Sequence, residues 1–160
     1  MNDYINPEKL SHDWPWLQFK QLIGLAHPNP MVRRQYVEEL DKHLPDFGIL
    51  LNYLFTHEED HGVKLALLIK MKGIDECQQI LLDAILSRAL PGIVKFQAWK
   101  SLNVTGLLLM MGSGPTPETR ERASKLLDEY RAEATRAKTV GIDERLNHLV
   151  DSAKSEFDEV

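Results

Sequence analysis

The sequence predicts an all-α protein, an α-solenoid of about four helix pairs closed by a C-terminal capping helix. Three observations predict it. One pattern returns at a fixed interval: Val32-Arg33-Arg34-Gln35-Tyr36-Val37-Glu38-Glu39-Leu40 is followed thirty-one residues on by Val63-Lys64-Leu65-Ala66-Leu67-Leu68-Ile69-Lys70-Met71, and thirty-one further by Val94-Lys95-Phe96-Gln97-Ala98-Trp99-Lys100-Ser101-Leu102. Each copy opens with Val and a cation, and sets large apolar groups at its fifth or sixth position and at its ninth. That is the spacing of one buried helical stripe. A fourth copy starts after a shorter step of 25, where Pro115-Thr116-Pro117-Glu118-Thr119-Arg120 matches Pro28-Asn29-Pro30-Met31-Val32-Arg33. No segment alternates apolar and polar residues as a half-buried strand does.

The elements follow in order. Trp14 to Ala26 is apolar at Trp16, Leu17, Phe19, Leu22, Ile23 and Ala26, with Pro15 near its start. Asn29 and Thr116 are placed to cap the second helices of their copies, with Pro30 and Pro117 at the first helical position, where no amide hydrogen is needed. Phe47 to Thr56 follows Asp46, and Glu76 to Ala89 follows Asp75, two more N-cap candidates. A short helix near Val104–Met111 precedes the Gly112-Ser113-Gly114 turn. Ile142, Leu146, Leu149, Ala153 and Phe157 describe the capping helix, 142–158. The middle copy is almost wholly apolar, as a central helix touched on both sides should be. All 160 residues read as one domain.

Composition excludes several classes. Hydrophobic residues make up 43% and charged residues 27%, the balance of a globular chain. No apolar run approaches the length of a membrane span, and the first residues lack the basic and apolar regions of a secretory signal. The single cysteine, Cys77, cannot close an intramolecular disulfide; it fits a reducing, cytoplasmic compartment. The net charge of −5 is uneven: residues 1–61 carry 5 basic and 10 acidic side chains, 62–103 carry 6 and 3, and 104–160 carry 8 and 11. The mildly basic middle is either an ordinary solvated face or a groove for an acidic or anionic partner.

With Pro-x-Pro-x-Val-Arg and its spaced apolar positions in view, residues 14–131 resemble the HEAT-like (armadillo-type) helical repeats. The resemblance implies that the second helices line a concave binding face. It also implies a ladder in which an acidic residue, five positions before each Val, pairs with a cation. Glu58 occupies that position; His27, Ala89 and Gly114 do not. The rows that would face the groove are Arg34, Leu65, Phe96 and Glu121 at the third position, Glu38, Ile69, Lys100 and Lys125 at the seventh, and Asp41, Lys72, Asn103 and Asp128 at the tenth. Of these, Arg34, Glu38, Asp41, Lys72, Phe96, Lys100 and Asn103 are the candidate partner-binding residues. Leu65, Ile69 and Phe96 have a competing role as packing between neighbouring helices.

One catalytic motif needs weighing. His57-Glu58-Glu59-Asp60-His61 spells H-E-x-x-H, the pattern in which two histidines on one helix face bind zinc and the glutamate acts as base. Its two middle residues are charged, the repeat register sets it in a turn, and no third ligand follows closely. His57 and His61 are therefore at most a weak metal-binding pair. No phosphate-binding glycine loop or nucleophile elbow is present, and no cofactor is implied. Cys77 falls at a helix start, where a thiolate is favoured, but a lone helical cysteine more often packs. Trp14 and Trp16 read as a cap on the first repeat's core, with a hot-spot anchor as the alternative. Trp99 reads as core.

These readings favour non-enzymatic protein binding, as an adaptor or as an inhibitor or immunity-type protein. The runner-up is nucleic-acid binding through Arg33, Arg34, Lys64, Lys70, Lys72, Lys95 and Lys100, opposed by a pI near 5.7. A chromophore-lyase-like role rests on the resemblance alone, and a zinc hydrolase on His57, Glu58 and His61.

Overall fold

The computed structural model describes residues 5–138, and every regular element among them is helical. In chain order these are α1 (Pro7–Asp13), α2 (Phe19–Leu25), α3 (Pro30–Glu38), α4 (Phe47–His57), α5 (His61–Lys70), a 3₁₀ turn (Asp75–Cys77), α6 (Gln78–Leu86), α7 (Gly92–Ser101), α8 (Val104–Ser113) and α9 (Pro117–Lys138). They fall into two compact units divided between Ser101 and Leu102. The capping helix expected at 142–158 lies outside the described residues.

The helices begin where capping chemistry allows. Asn6 and Asn29 each accept a hydrogen bond from the amide two residues on, with proline at the next position. Asp60 accepts from Val63 N at 3.0 Å and opens α5. Thr116 accepts from Thr119 N at 3.2 Å and opens α9. Asp46 departs from expectation. Its backbone is left-handed, at φ 55°, and its side chain makes no cap bond; only its carbonyl starts α4, accepting from Leu50 N.

In the first unit α2 packs on α3, α4 on α5 and α6 on α7, so each first helix lies against the second helix that follows it. The second helices also pack in sequence, α3 on α5 and α5 on α7. Burial follows the helical period. On α4 Phe47, Leu50, Leu51, Leu54 and Phe55 are buried; on α5 Val63, Ala66, Leu67 and Leu68; on α7 Val94, Ala98 and Trp99. Where α2 crosses α3, Gly24 lets the Tyr36 ring lie on the backbone itself: a Cβ there would stand 2.2 Å from Tyr36 Cδ2. In the second unit α8 and α9 form one packed pair around Leu107, Met110, Ala123 and Leu127.

Three boundaries differ from the sequence reading. The helix expected from Trp14 is two elements: α1 ends at Asp13, Trp14 closes it by donating to the Leu10 carbonyl, and α2 starts only at Phe19, after Gln18 N donates to Gln21 Oε1. The helix expected over Glu76–Ala89 opens as a 3₁₀ turn and ends at Leu86, because Ser87 turns extended and its hydroxyl accepts from Ala89 N. The helix of the fourth copy runs on to Lys138.

Candidate partner-binding face

The second helices of the first unit are tied at both ends. At the α3 and α5 starts, Arg33 donates from Nε and Nη2 to the two Glu58 carboxylate oxygens at 3.0 and 2.8 Å. This is a bidentate pair with side chains only 6% and 1% exposed. Arg33 Nη1 donates to the His27 and Pro28 carbonyls, and Glu58 Oε1 also accepts from the Glu59 and Asp60 amides. At the other end Lys70 Nζ donates to the Leu40 carbonyl at 2.9 Å, and Ser101 Oγ donates to the Leu68 carbonyl. Near the start of α7, Lys64 and Ala89 line one open cleft of about 310 Å³. Corresponding ends are thus adjacent, and α3, α5 and α7 run side by side in the same direction.

That register carries one stripe of each second helix to the outside. On α3 it holds Met31, Arg34 and Glu38; on α5 Leu65, Ile69 and, just past the helix, Lys72; on α7 Ile93, Phe96 and Lys100. Ile69 is 56% exposed, Phe96 51% and Ile93 64%, while Leu65 is half-buried. Arg34 and Glu38 satisfy each other at 3.0 Å. Lys100 Nζ lies 5.0 Å from the Phe96 ring centroid. Lys72 and Lys100 form no ion pair among the described residues.

Arg34, Glu38, Lys72, Phe96 and Lys100 are therefore all exposed on one run of helices. Asp41 is exposed in the turn after α3, where its carboxylate accepts from His43 N. Asn103 belongs to the second unit, where its side chain caps α8 by accepting from Gly106 N. The competition over Ile69 and Phe96 resolves toward solvent. Ile93 and Met31 belong to the same stripe and escaped the sequence rows, which began three positions later.

The H-E-x-x-H segment straddles two elements. His57 ends α4, Glu58 lies in the turn, and His61 opens α5. The His57 ring packs at 4.5 Å centroid distance from Tyr53, and Glu58 is enclosed by Arg33 and two amides. A carboxylate that is 1% exposed and paired bidentately with an arginine is committed to that pair, and no group of three or more His, Cys, Asp or Glu side chains among the described residues could hold a metal ion. The cleft beside Lys64 carries no constellation either. Asp83 accepts from Gln79, Thr56 Oγ1 donates to the Asn52 carbonyl, Ser87 is engaged with Ala89 N, and Lys64 lies over Phe55. Cys77 is fully buried and donates to the Gly48 carbonyl at 3.4 Å. Burial, with Glu76 adding to it, pushes its thiol up to about 12, so it is a packing residue and no nucleophile. Trp14 is buried, 5.5 Å from Tyr53; Trp16 is half-buried.

No helix among the described residues is long and apolar enough to cross a membrane. Comparison with protein-family models, with curated proteins and with solved structures returned no match.

Proposed function

We propose that this chain is a short HEAT-like α-solenoid that works by binding another protein, as an adaptor or inhibitor in a reducing, cytoplasmic compartment, and that the outer stripes of α3, α5 and α7 are its binding face. The observation that carries the reading is the exposure of Ile69, Ile93 and Phe96 on adjoining second helices. Large apolar side chains scattered singly need no explanation, but three on neighbouring helix faces mark a surface kept for a partner. The HEAT-like assignment draws support from two equivalent arginines. Arg33 and Arg120, second residues of the first and fourth copies, each donate from Nη1 to the carbonyl six residues back, His27 in one and Gly114 in the other. The Arg33–Glu58 pair, which joins the cation of the first copy to the turn carboxylate before the second, supports the reading as one rung of a charge ladder.

Affinity capture from the source lysate, with nuclease present, tests the reading when the wild-type chain is run beside an Ile69→Ser/Phe96→Ser variant. A stoichiometric protein held by the wild type and lost by the variant is the expected result. Capture that the variant leaves unchanged removes the face from the mechanism. Material lost only on nuclease treatment transfers the role to nucleic acid.

A further inference from the structure

We infer that the partner's docking segment is an acidic amphipathic peptide, presenting at least two large apolar side chains flanked by carboxylates. The inference rests on the binding-face reading above and adds the chemistry of the occupant. Its warrant is the charge of the two helices that bear the apolar stripe. α5 and α7 together hold four lysines, at 64, 70, 95 and 100, with Lys72 directly after α5, and no aspartate or glutamate. This occurs in a chain whose net charge is −5. Three of these cations have contacts at home: Lys70 with the Leu40 carbonyl, Lys64 over the Phe55 ring and Lys100 over the Phe96 ring, the last within the exposed stripe itself. Lys72 and Lys100 are not neutralised by any carboxylate among the described residues, and they stand at the ends of the exposed stripes.

The apolar groups decide between a peptide and a nucleic acid. Leu65, Ile69 and Ile93 are aliphatic, and Phe96 alone offers a ring for base stacking; its face is also approached by Lys100. Single-stranded nucleic acid favours successive aromatic platforms and a continuous cationic track. Two adjoining apolar rows, each closed by a lysine at the C-terminal end of its helix, instead fit the apolar face of an amphipathic segment, read at i, i+3, i+4 spacing, with acidic residues at one end reaching the ammonium groups. Phe96 in the middle, with Lys100 beside it, has the aromatic and charged character of a hot spot.

The test is selection from an unbiased random-peptide display library on the full chain. It is followed by fluorescence anisotropy of the enriched peptides and of a 20-nucleotide single-stranded DNA. The expected consensus is net acidic, with two or more of Leu, Ile, Phe, Met or Trp at helical spacing. Ile69→Ser/Phe96→Ser should weaken its binding at least tenfold. Lys72→Glu/Lys100→Glu should weaken it by about tenfold, and so should replacing the peptide's carboxylates by amides. All four positions are at the surface, so circular dichroism should show both variants folded.

Enrichment of neutral or basic sequences, or indifference to the lysine changes while the Ile69/Phe96 changes still abolish binding, overturns the acidic partner and leaves the face standing. No enrichment, or binding unmoved by either variant, overturns both. Loss on changing Phe19 and Ile23, the exposed apolar pair of α2, in place of Ile69 and Phe96 also overturns both. DNA binding tighter than any peptide and lost with Lys72 and Lys100 transfers the surface to nucleic acid.

Discussion

Breaking the Arg33–Glu58 pair should cost the first unit a large part of its stability. The magnitude follows from what each partner leaves behind. Arg33→Met strands a carboxylate that is 1% exposed; it keeps two amide donors but has no counter-ion. It also removes the donor to the His27 and Pro28 carbonyls. Glu58→Leu leaves a buried guanidinium with no counter-ion. Removing one partner of a buried pair costs about 3–5 kcal/mol, because the other charge remains desolvated. The double variant Arg33→Met/Glu58→Leu strands no charge. It loses the cap on two amides and two carbonyls at about 1 kcal/mol or less each, so about 2–3 kcal/mol in all. The singles therefore sum to far more than the double, and the coupling energy should be at least about 3 kcal/mol. Urea unfolding followed by tryptophan fluorescence reads this unit alone, because Trp14, Trp16 and Trp99 all precede residue 102. Singles that each cost under about 1 kcal/mol, or that add to give the double, would refute the argument that this pair locks α3 to α5.

Three further outcomes are expected. Gly24→Ala should destabilise by about 1–3 kcal/mol or more, since its Cβ would meet the Tyr36 ring at 2.2 Å, and Gly24→Ala/Tyr36→Ala should recover part of the loss in the same urea assay. Ala89→Glu combined with Lys64→Arg should raise stability by about 0.5–1 kcal/mol, because the two positions line one cleft and the pair would supply the rung that Arg33 and Glu58 make one repeat earlier; an unchanged midpoint would show that the cleft cannot close on it. Cys77, its thiol pushed up to about 12 from an ordinary value of 9.0, favours the folded state while protonated, so that contribution is constant below about pH 9 and lost between about pH 9 and 12. Cys77→Ala should remove that part of the alkaline decline, and iodoacetamide at pH 8 should label the native thiol on the order of a thousandfold more slowly than the urea-unfolded one.

How much was legible in the sequence depended on how each element announces itself. The second helices α3, α5 and α7 were legible because a repeat compares three stretches at once and because Val, cation and apolar spacing recur at the same offsets. α1 was not, since Pro7–Asp13 buries Leu10 alone and one apolar residue has no period. The start of α2 was misplaced because Trp14 and Leu17 are buried from the turn between α1 and α2, Trp14 beside Tyr53, and not from a helix face. Asp46 has the composition of an N-cap, but its backbone is left-handed and its side chain makes no bond to the helix amides, which composition alone does not reveal. The candidate face was legible in its charged members. Ile93 and Met31 were missed because rows counted from each Val exclude the residue before it, although i, i+3, i+7 from that residue defines the stripe.

The four copies differ in one respect that bears on the binding face. At the third and seventh positions α3 carries Arg34 and Glu38, paired at 3.0 Å, and α9 carries Glu121 and Lys125, paired at 3.5 Å. Such i, i+4 pairs satisfy themselves in water and contribute only tenths of a kcal/mol. α5 and α7 carry Leu65 with Ile69 and Phe96 with Lys100 at the same positions, where a soluble surface would gain from the arrangement of the outer copies. The exchange is confined to one face. The opposite sides of α5 and α7 are buried against α3, α4, α6 and each other and need no further apolar groups. A core requirement therefore does not account for Ile69, Ile93 and Phe96, and helix propensity does not either, since Ile and Phe are poorer helix formers than the charged residues they replace. At the third and seventh positions the apolar exchange falls on the two second helices that also lack carboxylates, which is what the proposed binding face requires. Restoring the outer-copy pattern, by Leu65→Arg with Ile69→Glu on α5, should leave the fold intact and abolish partner capture. Retained capture by that variant would mean that the apolar stripe on α5 has no part in binding.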